Sequence, residues 1–164
     1  MKIKILVSSC LLGERVRYDG IVKKRNESLY KLYKKGFVVP ICPEIAGGLA
    51  VPRLQSEISV DTNKVINKNG KDVTSYFLKG ADVALDLCMK YNIKVAILKS
   101  KSPSCSSGLI YDGTFEGKLK KGKGVTSKIL ELNGISVYDE HQIKKALYFA
   151  GIDFKNLLHE QILA

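Results

Sequence analysis

Cys10, Cys42 and Cys105 each follow a short apolar run, in the stretches ILVSSC, FVVPIC and VAILKSKSPSC. Three thiols delivered to one place could hold a metal ion or an iron–sulfur cluster, because thiolates are the soft ligands such centres take. Spacing alone does not carry the idea. No pair is separated as C-x-x-C, so the chain has neither a zinc ribbon, a thioredoxin motif nor a ferredoxin run. Placement carries it instead: strands joined by crossover helices all run the same way, and ligands sit outside their carboxyl ends. Thiols far apart in sequence would then become neighbours. Other nucleophile arrangements lack parts. His141 and His159 fall on expected C-terminal helices, away from every strand-end loop, so a Cys-His pair has no base. No G-x-S-x-G elbow follows a strand.

The elements that must position the thiols are legible from periodicity and punctuation. Residues 3–9 read as a first strand that delivers Cys10. Asn26 is a helix N-cap, with Leu29, Leu32 and Tyr33 inward and Gly36 as the left-handed stop. Residues 37–41 form the second strand and deliver Cys42. The glycines and prolines between Pro43 and Arg53 predict an ordered loop without long regular structure, and residues 58–66 a small hairpin. A long helix starts near Thr74 with Val73, Phe77, Ala81, Ala84, Leu85, Cys88 and Tyr91 on one stripe, which sends Cys88 to the core as a small buried hydrophobe. Residues 95–98 form the third strand and empty into the serine-rich loop that ends at Cys105. A glycine-rich segment, residues 111–124, leads to a helix over 127–133 and a fourth strand over 135–138. Asp139 with Gln142 suggests a capping box for the next helix, and Asp153 caps the last one. The expected fold is α/β, a Rossmann-like, mostly parallel sheet with flanking helices in one domain spanning residues 1–164.

Composition is consistent with this and narrows the function classes. At 164 residues, with 45% hydrophobic and 26% charged residues, the chain can bury a core without disulfides. Its apolar runs fall far short of a membrane span, and the N-terminal run is too short for a signal peptide, so a reducing cytoplasm is the expected location. The formal charge of +11 invites a nucleic-acid reading. The lysines are spread out, however, and the clusters at Lys23 to Arg25 and Lys118 to Lys123 lack the interleaved aromatics of a single-strand platform.

Several motifs together are more specific than any one of them: Ser9-Cys10-Leu11-Leu12-Gly13 with Arg17-Tyr18-Asp19-Gly20, Cys42-Pro43-Glu44 with Gly47-Gly48-Leu49 and Pro52-Arg53, Asp72-Val73-Thr74, and Ser102-Pro103-Ser104-Cys105 with Tyr111-Asp112-Gly113-Thr114-Phe115. In these the chain resembles the DUF523 family over residues 1 to about 140. The resemblance implies the activity of that family's thiouracil desulfidases, which hold a 4Fe-4S cluster on three cysteines and remove sulfur from thiolated pyrimidines. Carried over, the ligands are Cys10, Cys42 and Cys105, the motif glutamate is Glu44 and the serine ahead of the third cysteine is Ser102, with Ser100 and Ser104 as rivals. Ser106 stands where the family usually has glycine, and its side chain is expected to narrow the pocket.

The chemistry implied is hydrolytic. An iron without a protein ligand acts as a Lewis acid toward a thiocarbonyl sulfur, Glu44 accepts or gives a proton, and a serine orients it. Arg17 and Arg53 are candidate holders of a substrate oxygen or phosphate, and Tyr18 or Phe115 could stack on a base. The partner is then a small thiolated nucleobase or nucleoside, with a tRNA nucleotide as the larger option, and the oligomeric state stays open. Two other classes compete: a nucleic-acid-binding module whose cysteines bind zinc or merely pack, and a metal-free thiol enzyme with one ionised cysteine.

Overall fold

The computed structural model describes residues 2–159. Along the chain, β1 (Ile5–Ser8) runs into a single 3-10 turn (Ser9–Leu12), followed by α1 (Glu27–Lys34) and β2 (Val38–Ile41). A short helix α2 (Pro43–Ala46) then precedes the β3 (Ser56–Ile58) and β4 (Val65–Asn67) hairpin. Next come α3 (Thr74–Lys90), β5 (Val95–Ile97), the β6 (Leu109–Tyr111) and β7 (Leu119–Lys121) hairpin, α4 (Val125–Leu132), β8 (Ser136–Tyr138), α5 (Ile143–Ala150) and α6 (Phe154–His159).

The central sheet has the order β2-β1-β5-β8 and is parallel throughout, as the α/β expectation requires. Alternation along its strands builds a core on each face. Ile5, Val7, Val95 and Ile97 meet Leu29 and Leu32 of α1 and Leu147 of α5 on one side. Leu6, Ala96 and Leu98 meet Ala84 and Cys88 of α3 and Leu130 of α4 on the other. Cys88 is therefore a core residue, as its helical stripe predicts. Among the described residues no helix is long and apolar enough to cross a membrane.

Local signals place most boundaries. The Asn26 side chain accepts a hydrogen bond from Leu29 N at 3.1 Å, Asp153 accepts from Lys155 N and Asn156 N, and Gly36 sits at φ +83°. Tyr33 departs from its expectation and is exposed on the flank of α1. The capping box is half made: Gln142 Oε1 accepts from Asp139 N, whereas the Asp139 carboxylate turns to His141 N. The glycine-rich segment proves to hold the turn and second strand of the β6–β7 hairpin, which begins just ahead of it and whose strands of three residues are too short to show periodicity.

Candidate active site

Cys10 lies on the 3-10 turn directly after β1, Cys42 directly after β2, and Cys105 on the loop that follows β5. These three strands are adjacent in the sheet, and the chain reverses its direction of travel between β1 and β5. That reversal opens the crevice in which open parallel sheets bind ligands. All three cysteines line one crevice of about 320 Å³ together with Glu44, Arg53, Ser102 and Ser104.

The thiols affect one another electrostatically. Burial pushes the Cys10 thiol up to about 12, with further increments from Cys105 and Cys42 that Lys99 and Arg17 partly offset. Burial likewise raises Cys105 to about 11, against hydrogen bonds from Ser8 and Ser104, and raises Cys42. All three are unpaired thiols. Burial thus disfavours the thiolate at each of the three, which speaks against a simple thiol nucleophile.

Glu44 sits in the first turn of α2, where Pro43 occupies a position whose missing N–H costs nothing. Its Oε1 accepts from Arg53 Nε at 3.1 Å and its Oε2 from Ser104 Oγ at 3.2 Å. Ser102 Oγ lies 3.0 Å from Ser104 Oγ and accepts from the backbone N of Ser104 and Cys105. Ser102 and Ser104 thus share one network with Glu44. Ser100 also lines the crevice but is engaged by another carboxylate: its amide and hydroxyl, with Lys99 Nζ, bind Glu140, whose carboxyl is pushed up by burial yet held down at about 2 by these donors.

Arg17 and Tyr18 line the crevice, Arg17 paired with Asp19 at 3.4 Å. Arg53 lines it too, but its guanidinium is committed to Glu44, Ala50 O and Val16 O, so it holds the carboxylate in place. Phe115 is not among the crevice residues. It stands at φ +59° with its amide on the buried carboxylate of Glu57. Tyr111 of β6, from the same motif, is the aromatic side chain that reaches the crevice from that hairpin. Ser106 is also turned away: its hydroxyl donates to Leu109 O inside the loop, so it does not narrow the crevice. Lys23, Lys99 and Lys101 join Arg17 and Arg53 in the lining, against Glu44 as the sole carboxylate there among the described residues. Sequence reasoning noted Lys23 only as part of a basic cluster and did not single out Lys99 or Lys101, because nothing local distinguishes them from the other lysines.

Among the described residues no three Cys, His, Asp or Glu side chains converge tightly enough to chelate one metal ion. A cubane differs in taking each thiolate on a different iron. Three thiols arranged around a crevice, and not closed on a single point, suit that larger group better than one zinc ion.

Comparison with known proteins agrees in fold and family. A family model described as 2-thiouracil desulfurase matches residues 5–142. The uncharacterized protein YbbK of Bacillus subtilis (strain 168) is 39% identical over 151 residues, covering 87% of this chain and 99% of its own. The solved structure of the 4Fe-4S-dependent thiouracil desulfidase TudS matches with a TM-score of 0.86 at 43% identity, over 92% of this chain and 99% of that one.

Proposed function

The chain belongs to the 2-thiouracil desulfurase family, and from that premise we propose that it is a desulfidase that replaces the sulfur of a thiolated pyrimidine base or nucleoside by oxygen, without net oxidation or reduction. The observation that carries this reading is the meeting of three strand-end cysteines with the Glu44–Ser104 pair in one crevice. Cys10, Cys42 and Cys105 would hold a 4Fe-4S cluster. When bound on three protein ligands, such a cluster supplies an iron open to a soft thiocarbonyl sulfur as a Lewis acid.

The chain supplies the proton handling and the orientation. Exchange of sulfur for oxygen consumes one water, which must lose a proton on attack, and the departing sulfur must gain one. Glu44 serves both needs. Arg53 fixes its Oε1, leaving Oε2 to the Ser104 hydroxyl. A proton enters at Ser104 Oγ as the serine's own proton passes to Oε2, and the same pair returns it. Ser102, whose oxygen already accepts two loop amides, directs its hydroxyl to Ser104 Oγ and so keeps the Ser104 proton turned to Glu44. Tyr18 and Arg17, at the wall, hold the ring and its oxygen. With free thiols at the site, we assign the reaction to a reducing cytoplasm.

Anaerobic reconstitution with iron and sulfide, followed by incubation with 2-thiouracil and 4-thiouracil, tests the reading. About four irons per chain and equal yields of uracil and sulfide without added reductant are expected. A chain that binds iron fully but releases no sulfide from either compound, or that binds none, would overturn it.

A further inference from the structure

Three glycines in ordinary backbone conformations sit where no side chain fits. A Cβ at Gly80, within α3, would lie 1.8 Å from Pro43 O, and one at Gly47 would lie 1.9 Å from Tyr76 O. The two backbones are thus in direct contact at α3 and at the turn that carries Cys42 and Glu44. A Cβ at Gly124, the residue before α4, would lie 2.4 Å from the carbonyl carbon of Ser104. Gly47 and Gly124 have φ of −76° and −69°, which any residue adopts, and Gly80 occupies a helix interior, where glycine is the poorest choice after proline. Close approach is therefore the reason for glycine at each. Both loops end on the same platform, because α3 packs against α4. The α4 side adds hydrogen bonds from Val125 N to Pro103 O, Thr126 N to Ser104 O and Ser127 Oγ to Cys105 O.

We propose that Gly80 with Gly47, and Gly124 separately, are positioning residues that set where Cys42 with Glu44 and Cys105 with Ser104 stand, through backbone contact with the α3–α4 pair. Cys10, borne on the turn after β1, is independent of this device. A methyl group at Gly80 must push the Cys42 turn away from α3, while one at Gly124 must move the Cys105 loop. The role in cluster binding rests on the desulfidase reading; the placement of the thiols does not.

Residue-resolved alkylation of metal-free protein tests this, with Cys10 as internal reference. Gly80→Ala should change the Cys42-to-Cys10 rate ratio by about fivefold or more, since thiol reactivity follows exposure and ionisation, and Gly124→Ala should do the same to Cys105 alone. The neighbouring control Ala81→Gly, which loosens α3 without adding an atom, should leave both ratios unchanged. Anaerobically reconstituted Gly80→Ala should also bind less iron or show an altered electron paramagnetic resonance line shape. Equal changes at all three thiols, or none, would overturn the proposal; unaltered iron binding beside a shifted Cys42 would overturn the role of this placement in cluster binding. If Gly80→Ala does not fold, hydrogen exchange on the unaltered chain decides: residues 43–48 should open only together with residues 76–84, and their rapid independent exchange would refute the clamp. Loss of sulfide release with the alkylation pattern intact would count against the desulfidase alone.

Discussion

A carboxylate held by Arg53 on one oxygen and by Ser104 on the other has lost its freedom to rotate, and that restraint makes Glu44 suited to a directed proton transfer. Glu44→Gln, which keeps the size and removes the basicity, should lower kcat roughly a hundredfold or more while iron content stays unchanged. Ser104→Ala should lower kcat by a smaller factor, and Ser100→Ala should leave it near that of the parent because the Ser100 hydroxyl is engaged by Glu140. Steady-state rates normalised to iron distinguish the three. The thiols make a second prediction. Burial and mutual repulsion keep Cys10 and Cys105 protonated up to about 12 and about 11, against a usual value of 9.0. The folded chain then retains protons that the unfolded chain has released, so the thiol contribution to stability is whole below about pH 9 and declines as pH rises toward the folded values. Urea midpoints of metal-free protein should fall over that interval, and fall less in Cys10→Ser; an equal fall would contradict the assignment.

At the scale of elements, the site depends on how loops are tied to strands. The loop from β5 to Cys105 is fastened at its start by Glu140, which follows β8 and binds Lys99 Nζ at 2.7 Å and Ser100 N at 2.9 Å, and at its end by the start of α4. Glu140 is largely buried, so Glu140→Gln should cost about 2 kcal/mol at neutral pH. Its folded value of about 2 lies below the usual 4.5, so this stabilisation is present above about pH 4.5 and lost as pH falls through about 2. Chemical denaturation of parent and variant at neutral and acid pH should show the difference shrinking in that direction. A constant difference would mean that Glu140 acts through packing alone. The β6–β7 hairpin is tied differently, by the buried Glu57 carboxylate on the amides of Gly113 and Phe115. This anchor fixes the hairpin that presents Tyr111 to the crevice.

At the scale of the molecule, the crevice is carried by a sheet whose two faces are packed without help from any metal. Fully buried Ile5, Val7 and Leu29 on one side, and Leu6, Leu98 and Leu130 on the other, fill the layers between sheet and helices. Removal of bound iron by a chelator should therefore leave far-ultraviolet circular dichroism and cooperative unfolding intact, with only the binding contribution to Tm lost. This separates the chain from zinc modules that unfold without their ion. Collapse of the dichroism on chelation would show that the metal is part of the fold.

The sequence alone determined the alternation of strands and helices, since the apolar runs, the Asn26 and Asp153 caps and the α3 stripe act over a few residues. It also identified Cys10, Cys42 and Cys105 as strand-end thiols, because each directly follows or closely trails an apolar run. Only the tertiary structure decided which side chains share the crevice. Tyr111 rather than Phe115 reaches it, Ser104 rather than Ser102 touches Glu44, Arg53 braces the carboxylate, and Ser106 turns inward. Each of these depends on partners distant in the chain or on a loop's exact path, as with Glu44 and Ser104 across 60 residues. Side-chain direction in a loop is set by backbone conformation and packing, which composition and periodicity do not encode.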